Sequence, residues 1–239
     1  MTSLVRWVFW VAAAMVALQL FLLGRVAMMA AVDPQSTTFQ RSEAWRLSQS
    51  PKGLKWRQQW VPYAQISDNL KRAVIASEDG DFVNHDGVEW DAIEKAWQKN
   101  AQAEEQALKR ARAGRAVKIV GGSTITQQLA KNLLLSGERN LPRKGQEFVL
   151  TLMLESLLSK RRILEIYLNN VEWGEGVFGA EAAAQHYFRK PASRLSAYEA
   201  ARLSVMLPRP KFFEKLPNSA YLSGRSATIV ARMGDSSLP

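Results

Sequence analysis

The sequence contains no cysteine and only two histidines, His85 and His186. Disulfides, thiolate metal sites and cysteine nucleophiles are therefore excluded, and so is a metal site built from several histidines. Strands with period-2 alternation are also missing over any useful length, and there is no internal repeat. Helical periodicity dominates instead, so we expect a mainly α-helical protein with one globular domain.

Acidic residues are outnumbered, because 22 Asp and Glu stand against 32 Lys and Arg and give a formal net charge of +10. This balance indicates an anionic partner, which could be a nucleic acid, an acidic membrane surface or a phosphorylated substrate. Charge alone does not choose among them. The chain of 239 residues is 47% hydrophobic, which suffices for one core of about 150 to 200 residues and an additional segment.

Charged residues are absent from Trp7 to Gly24, an eighteen-residue run bounded by Arg6 and Arg25. This length approaches the roughly 20 residues of a membrane-spanning helix, and Arg25 can snorkel to the interface. We therefore interpret residues 1–32 as a membrane anchor that spans at about 7–28. A cleavable signal peptide is the alternative, but its apolar region would be shorter and would precede a small-x-small site. The short N-terminal flank favours a cytoplasmic N-terminus.

Residues 33–59 are polar and contain two prolines and a glycine, so they are predicted to tether the anchor to the domain. The domain itself is expected over 60–225, with a C-terminal tail over 226–239. A helix is expected around Trp90 to Trp97. The charged segment 98–120 is open to two interpretations, a charged helix or a mobile segment that could act as a lid beside a cleft.

The stretch from Gly121 to Asn132 reads GGSTITQQLAKN. Thr124 and Gln127 have the spacing of a capping box, so a helix should begin here, with Ile125 and Leu129 turned to the core. The residues that share its polar face are Thr124, Gln127, Gln128 and Lys131. A helix N-terminus preceded by glycines suits a phosphate. An ordinary amphipathic surface helix is the alternative.

Glu78 is predicted to lie at the end of a helix that begins near Asp68 and includes Leu70 and Val74 on its apolar side. The partial negative charge of a helix C-terminus tends to raise the pKa of a carboxyl group. A raised pKa is what a general base working near neutral pH needs. The alternative is a solvated acidic turn.

A long helical pattern runs over about 143–169, and Glu147 shares its apolar stripe. This carboxylate could be a core acid paired with Arg143 four residues earlier, or a cleft acid beside a cationic substrate pocket. Two further helices are expected at 181–188 and 196–206, after which two prolines close the regular structure.

Five ordered blocks of residues stand out together. They are Glu78-Asp79-x-x-Phe82-x-x-His85-x-Gly87; Gly121 to Asn132; Arg143-Lys144-x-x-Glu147; Arg162-Ile163-Leu164-Glu165-x-Tyr167-Leu168-Asn169; and Ala182-Ala183-Ala184 through Tyr187-Phe188-x-Lys190. The chain thereby resembles the glycosyltransferase domain of penicillin-binding proteins, in the form of the monofunctional biosynthetic peptidoglycan transglycosylases. The resemblance implies a lysozyme-like, mainly α-helical fold with an N-terminal transmembrane helix. It also implies polymerisation of lipid II, an undecaprenyl-diphosphate-linked disaccharide-pentapeptide, into glycan strands.

By motif position, the resemblance implies that Glu78 is the general base that takes the proton from the acceptor 4-hydroxyl. This hydroxyl attacks the donor anomeric carbon with inversion and expels the lipid diphosphate. Glu147 would position the cations or assist the leaving group. The implied substrate-binding residues are Thr124, Gln127, Gln128, Lys131, Arg139, Arg143 and Lys144. The implied supporting residues are Asp79, Phe82, His85, Ser123, Asn132, Glu165 and Asn169.

The resemblance implies no organic cofactor, and it leaves open whether a divalent cation, Mg²⁺ or Mn²⁺, assists the diphosphate near Glu147. The expected partners are lipid II, the growing strand and the inner membrane, with the catalytic domain in the periplasm. Cell division or elongation proteins are further candidates, and nucleic acid is not expected. Segment 98–120 is longer than the family pattern suggests, and no transpeptidase domain is expected after Pro217.

Two other functions compete with this interpretation. A lysozyme-like hydrolase or lytic transglycosylase also needs a catalytic glutamate in a sugar cleft. It cleaves neutral glycosidic bonds, however, and has no use for the four cations clustered over 131–144. A membrane-anchored scaffold or nucleic-acid-binding module would spread its basic residues and would not require both Glu78 and Glu147.

Overall fold

The structure is a computed structural model that describes residues 3–51, 53–88, 123–135 and 141–239. Its helices are α1 (Ser3–Met28), α2 (Thr38–Ser48), α3 (Asp68–Glu78), α4 (Ile125–Leu134), α5 (Leu141–Leu157), α6 (Lys160–Asn170), α7 (Ala180–Phe188), α8 (Ala197–Met206), α9 (Pro210–Phe213) and α10 (Ala220–Arg232). The strands are β1 (Arg57–Gln58), β2 (Glu172–Gly174) and β3 (Val177–Phe178). The prediction of a mainly α-helical protein is confirmed. The helix expected at 90–97 and the charged segment 98–120 lie outside the described residues.

Helix α1 is long and apolar enough to cross a membrane, with a mean hydropathy of 2.0. Its 26 residues measure about 39 Å, which exceeds the bilayer hydrocarbon core of about 30 Å. Most of its side chains are exposed, and only Leu22 and Val26 near its end are buried against the domain. Gln19 and Gln146 of α5 exchange amide hydrogen bonds of 2.9 and 3.1 Å. Helix α1 therefore packs on the domain through the second half of its length.

Helix α3 packs on α8 and α10. Ser67 caps its N-terminus by accepting the N–H of Leu70 at 3.2 Å, which satisfies one of the free amides of the first turn. Leu70 and Val74 are fully buried. The helix ends at Glu78, as the sequence predicted.

The helical pattern over 143–169 is interrupted, because the structure divides it into α5 and α6. Ser159 makes the division, since its hydroxyl accepts the N–H of Arg162 at 3.2 Å and caps α6. Leu158 and Ile163 on either side are buried in the same core. Apolar periodicity continues across the break, so a single helix was predicted where there are two.

Residues 33–59, expected to be a polar tether, carry α2 and β1. Thr37 and Gln40 form a capping box at the start of α2, and α2 packs on α4. Strand β1 pairs in parallel with β3, which pairs antiparallel with β2. Trp56 stacks on Phe178 with 4.5 Å between ring centroids. A two-residue strand is too short to leave a period-2 pattern, so its place in the sheet was not visible in the sequence.

Regular structure continues past the prolines that were expected to close it. Pro210 lies in the first turn of α9, a position where its missing N–H costs nothing. Helix α10 packs on α8 and α3. A one-turn helix at Met233–Asp235 also contacts α3, and Arg72 donates a hydrogen bond to the carbonyl of Ser236. The segment 226–239, expected to be a tail, is thus packed on the domain.

Candidate active site

Glu78, the predicted base, is half-buried at the C-terminus of α3. Burial raises the pKa of Glu78 above its ordinary value, and the neighbouring charge of Asp79 adds to this effect. A hydrogen bond of 2.9 Å from the side-chain amide of Gln128 to Glu78 Oε2 acts in the opposite direction. The predicted direction of the pKa shift is confirmed, but burial is its main cause.

Asp79 fixes the position of Glu78 relative to α4. One of its carboxylate oxygens accepts the backbone N–H of Ile125 at 2.9 Å, and the other lies 2.8 Å from His85 Nε2. The hydrogen bond with Asp79 raises the pKa of His85. His85 Nδ1 accepts the N–H of Gly87 at 3.0 Å, so the ring has the tautomer with its proton on Nε2. Asp79 and His85, both predicted supporting residues, therefore hold the loop that follows Glu78.

Thr124 and Gln127 form the predicted capping box at the start of α4, with hydrogen bonds of 3.2 and 3.3 Å between them. The Thr124 hydroxyl also donates to the carbonyl of Gly87 at 2.7 Å. Both side chains are buried, and the first amide of the helix, that of Ile125, is bound by Asp79. Protein groups therefore bind the Ile125 and Gln127 amides at the start of α4, and phosphate binding there stays a prediction.

Gln128 is held at both ends of its amide. Its nitrogen donates to Glu78 at 2.9 Å and to the carbonyl of Ser123 at 3.4 Å. Its oxygen accepts the hydroxyl proton of Tyr167, on α6, at 3.0 Å. Tyr167 is fully buried and was not predicted as a site residue, because its apolar neighbours indicate a core position. The contact of Gln128 with substrate stays a prediction.

Glu147 lies on α5 with both carboxylate oxygens bound by cations. Arg143 Nη1 is 3.0 Å from Oε2, and Lys144 Nζ contacts Oε1. The carboxylate is buried, whereas the Lys144 side chain is 56% exposed. Glu147 could be a core acid or a cleft acid, and these alternatives are not exclusive. It is a buried acid paired with Arg143, and it also pairs with the exposed Lys144.

The remaining cations lie along α4 and beyond it. Lys131 is exposed in the last turn of α4, three residues after Gln128, and thus on the same helix face. Because α4 packs on α5, the helix that contacts Glu78 and the helix that carries Lys144 are neighbours. Asn132 is half-buried on α4. Arg139 lies outside the described residues.

Two charged residues that the sequence did not indicate hold the loop after Glu78. Lys160 donates to the carbonyl of His85 at 2.5 Å and to Glu155 at 2.9 Å. Its ammonium also lies 4.7 Å from the ring centroid of the buried Phe82. Glu155 in turn accepts the hydroxyl proton of Thr126 on α4 at 2.6 Å. In the sequence, nothing separates these charges from those of an ordinary solvated helix face.

Glu165 and Asn169, two predicted supporting residues, bind the segment that leads into α3. Asn169 accepts the N–H of Val61 at 2.9 Å and donates to its carbonyl at 3.0 Å. Glu165 accepts the N–H of Tyr63 at 2.8 Å and pairs with Arg162. They orient the chain ahead of α3, the helix that ends at Glu78, and they contact none of the other predicted site residues through a described hydrogen bond.

The possible divalent cation near Glu147 can be tested against the donors present. Both oxygens of Glu147 already contact cations. Among the residues that the structure describes, no group of three or more His, Asp and Glu side chains could hold a metal ion. A divalent ion at this site would therefore need most of its oxygen ligands from a diphosphate and water, which is a common arrangement for Mg²⁺.

The site combines a half-buried carboxylate of raised pKa with exposed lysines on two packed helices. A site of this composition is typical of an enzyme that performs acid–base chemistry on an anionic substrate. A family model described as Transglycosylase matches residues 47–234. The chain belongs to this family, and it is a glycosyltransferase. The matched range includes β1 and α10, in agreement with their packing on the domain.

Several relatives match along most of their length. A biosynthetic peptidoglycan transglycosylase of Burkholderia thailandensis is 57% identical over 95% of this chain and 84% of the relative. Its counterpart in Burkholderia pseudomallei is 55% identical over 98% of this chain and 88% of the relative. That of Paraburkholderia xenovorans is 53% identical, with 98% and 95% covered.

Proposed function

We propose that this glycosyltransferase polymerises lipid II into linear glycan strands of peptidoglycan. The observation that carries the proposal is Glu78, a half-buried carboxylate of raised pKa that accepts a hydrogen bond from Gln128, whose face of α4 also carries the exposed cation Lys131. Lipid II offers what such a site needs, a hydroxyl to deprotonate and a diphosphate to expel. The names of the relatives support the same reaction.

In the proposed step, Glu78 takes the proton of the acceptor 4-hydroxyl. The oxygen of that hydroxyl forms a bond to the donor anomeric carbon at the same time. The bond from that carbon to the diphosphate oxygen breaks, the carbon is inverted, and undecaprenyl diphosphate leaves with the electron pair. A raised pKa favours this transfer, because a carboxylate with an ordinary pKa is a weak base near neutral pH.

The cations are proposed to stabilise the negative charge that develops on the leaving diphosphate. Lys131 and Lys144 are exposed and can contact it directly, with Arg143 behind them and Arg139 beyond the described residues. Glu147 holds Arg143 and Lys144 through its two oxygens. We therefore assign Glu147 the positioning role rather than proton donation, since both its oxygens are occupied by cations.

A divalent cation at the diphosphate stays a prediction. The described side chains offer it no cage, so we expect any Mg²⁺ or Mn²⁺ to bind through substrate oxygens. Strand synthesis would then fall with EDTA and recover with added metal, whereas metal binding to the substrate-free protein would be weak. Tight binding of the metal to the protein alone, measured by calorimetry, would contradict this arrangement.

We propose that the protein lies in the inner membrane with α1 spanning it, the N-terminus in the cytoplasm and the catalytic domain in the periplasm. The length and hydropathy of α1 support a span, and a lipid-linked substrate explains why the domain is kept at the bilayer. Cell division or elongation proteins stay predicted partners. Protease accessibility of the domain in spheroplasts tests the orientation, because a cytoplasmic domain would be protected.

The direct test is synthesis of strands from labelled lipid II by the detergent-solubilised protein, resolved by glycan length. The parent should make long strands, and Glu78→Gln should lose at least about a hundredfold in rate, as expected for removal of a general base. Asp68→Asn is the matched control, since Asp68 lies at the other end of α3 with an exposed side chain. Shortening of preformed glycan by the parent, without strand synthesis, would establish the lytic alternative.

A further inference from the structure

Three residues form a line of hydrogen bonds from the core to the proposed base. Tyr167 has 1% of its surface exposed, and its hydroxyl donates to Gln128 Oε1 at 3.0 Å. Gln128 Nε2 then donates to Glu78 Oε2 at 2.9 Å. Tyr167 cannot reach a substrate from this buried position. Its described hydrogen bond toward the site is the one to Gln128.

The direction of this line is fixed at both ends. Burial raises the pKa of Tyr167 well above its ordinary value, and the charges of Glu78 and Asp79 raise it further, so the phenol keeps its proton. An ionised Glu78 can only accept hydrogen bonds. With a donor on one side and an acceptor on the other, the Gln128 amide satisfies both only with its oxygen toward Tyr167 and its nitrogen toward Glu78.

We propose that Tyr167 is a positioning residue for the transfer reaction: by holding the Gln128 carbonyl, it keeps the Gln128 amide nitrogen on Glu78 and the base ionised and aimed at the acceptor hydroxyl. The inference rests on the proposed function of Glu78. Without the phenol, the Gln128 amide can rotate and turn its oxygen toward the carboxylate. Glu78 would then lose a donor that stabilises its charged form.

The consequence for pH dependence has a definite sign. Glu78 acts as a base only when ionised, so the reaction is lost as the pH falls through the pKa of Glu78. Hydrogen bonding from Gln128 lowers that pKa and burial raises it. Loss of the Tyr167 hydroxyl removes part of the lowering effect, so the acid limb of the rate profile moves to higher pH.

The test is Tyr167→Phe in the full chain, assayed for strand synthesis across pH. We expect kcat to fall about three- to tenfold, the range of one neutral hydrogen bond, with the KM for lipid II little changed and the acid limb at higher pH. Tyr187→Phe is the matched control, because its hydroxyl also bonds a protein carbonyl, that of Trp173, at 2.8 Å. It reports what a lost tyrosine hydrogen bond does to the fold alone.

A double-mutant cycle shows whether Tyr167 acts through Gln128. In the Gln128→Ala background, the change Tyr167→Phe should have almost no further effect on kcat or on the acid limb. Equal effects of Tyr167→Phe in both backgrounds would overturn the proposal, as would a lower melting temperature with an unchanged pH profile. If the parent made no strands, the proposed function would fail first, so the two failures are distinguishable.

Discussion

At the scale of single residues, the site depends on carboxylates whose neighbours give them different roles. Glu78 is half-buried and accepts a hydrogen bond from the Gln128 amide, and burial raises its pKa. Glu147 is buried with two cations, which keep its oxygens occupied. These two environments are the reason for the proposed roles of the two glutamates, proton transfer for Glu78 and holding positive charge in place for Glu147.

Lys144 offers the sharpest test of the cation cluster, because its side chain is largely exposed while Glu147 anchors it. We expect Lys144→Ala to lower kcat about 10- to 100-fold and to change KM less, since the negative charge on the diphosphate is greatest in the transition state. Lys215→Ala, at an exposed lysine of the chain between α9 and α10, is the control. Equal effects of the two variants on kcat would mean that the net charge of the protein determines the rate and that the position of the cations does not.

At the scale of elements, Arg162 joins the end of the anchor helix to the domain. Its guanidinium donates to the carbonyl of Met29 at 2.7 Å and pairs with Asp33 and Glu165, both at 2.7 Å. It also lies over the ring of Trp60 at 5.5 Å. One side chain therefore connects the chain after α1, helix α6 and the segment that leads into α3.

We expect Arg162→Ala to cost about 2 kcal/mol, since it removes several charge-assisted hydrogen bonds from a half-buried position. For a chain of this size, this corresponds to a melting temperature about 5 °C lower. Cleavage by protease between residues 29 and 37 should become faster in the detergent-solubilised protein. Arg161→Ala removes the adjacent exposed arginine and should leave both quantities nearly unchanged. If the segment between residues 29 and 37 resisted protease in both variants, Gln19 and Leu22 would be sufficient to hold α1 on the domain without Arg162.

The contact between α2, β2 and α9 contains a titrating carboxylate. Glu172 is buried, and burial raises its pKa to about 7 although Lys211 lies 3.1 Å away. Lys211 is shared with Glu43 of α2 at 2.5 Å. Because the folded state holds this proton up to about pH 7 and the unfolded state releases it near pH 4.5, the free energy of unfolding falls as pH rises through this window.

Glu172→Gln should abolish that fall, because glutamine does not titrate. At pH 8 we expect the free energy of unfolding of the variant to exceed that of the parent by on the order of 1 to 3 kcal/mol, with little difference at pH 5. Melting temperatures across pH measure this effect. Glu175→Gln, three residues further along the chain and 43% exposed, is the control. A pH-independent difference between Glu172→Gln and the parent would contradict the assignment.

The parts of the fold and site that the sequence predicted are those encoded locally. Thr124 with Gln127 and the end of α3 at Glu78 follow from capping patterns and apolar periodicity. Tyr167 was missed because a buried tyrosine gives the same periodicity whether or not its hydroxyl serves a site. The break at Ser159 and the pairing of β1 depend on contacts between distant segments, which no local pattern records.

At the scale of the whole molecule, the net charge of +10 should attract the domain to anionic lipids and substrate. Screening at high ionic strength shortens the range of that attraction from about 10 Å at 0.1 M to about 3 Å at 1 M salt. We therefore expect the KM for lipid II in anionic vesicles to rise severalfold between 0.1 and 0.5 M salt, with kcat little affected. In neutral vesicles the change should be smaller. Identical salt dependence in both would assign the effect to the site and not to the surface.

The attachment of α1 to the domain through Gln19, Val26 and Arg162 has a geometric consequence. If a helix is fixed in a bilayer and packed on its own domain, the domain cannot tilt relative to the membrane as it could on a flexible tether. Rotation about the membrane normal and lateral diffusion are the motions that remain. In the proposed arrangement with α1 across the bilayer, the height of Glu78 above the lipid surface would be constant, and a growing strand would leave at one set angle to the membrane plane.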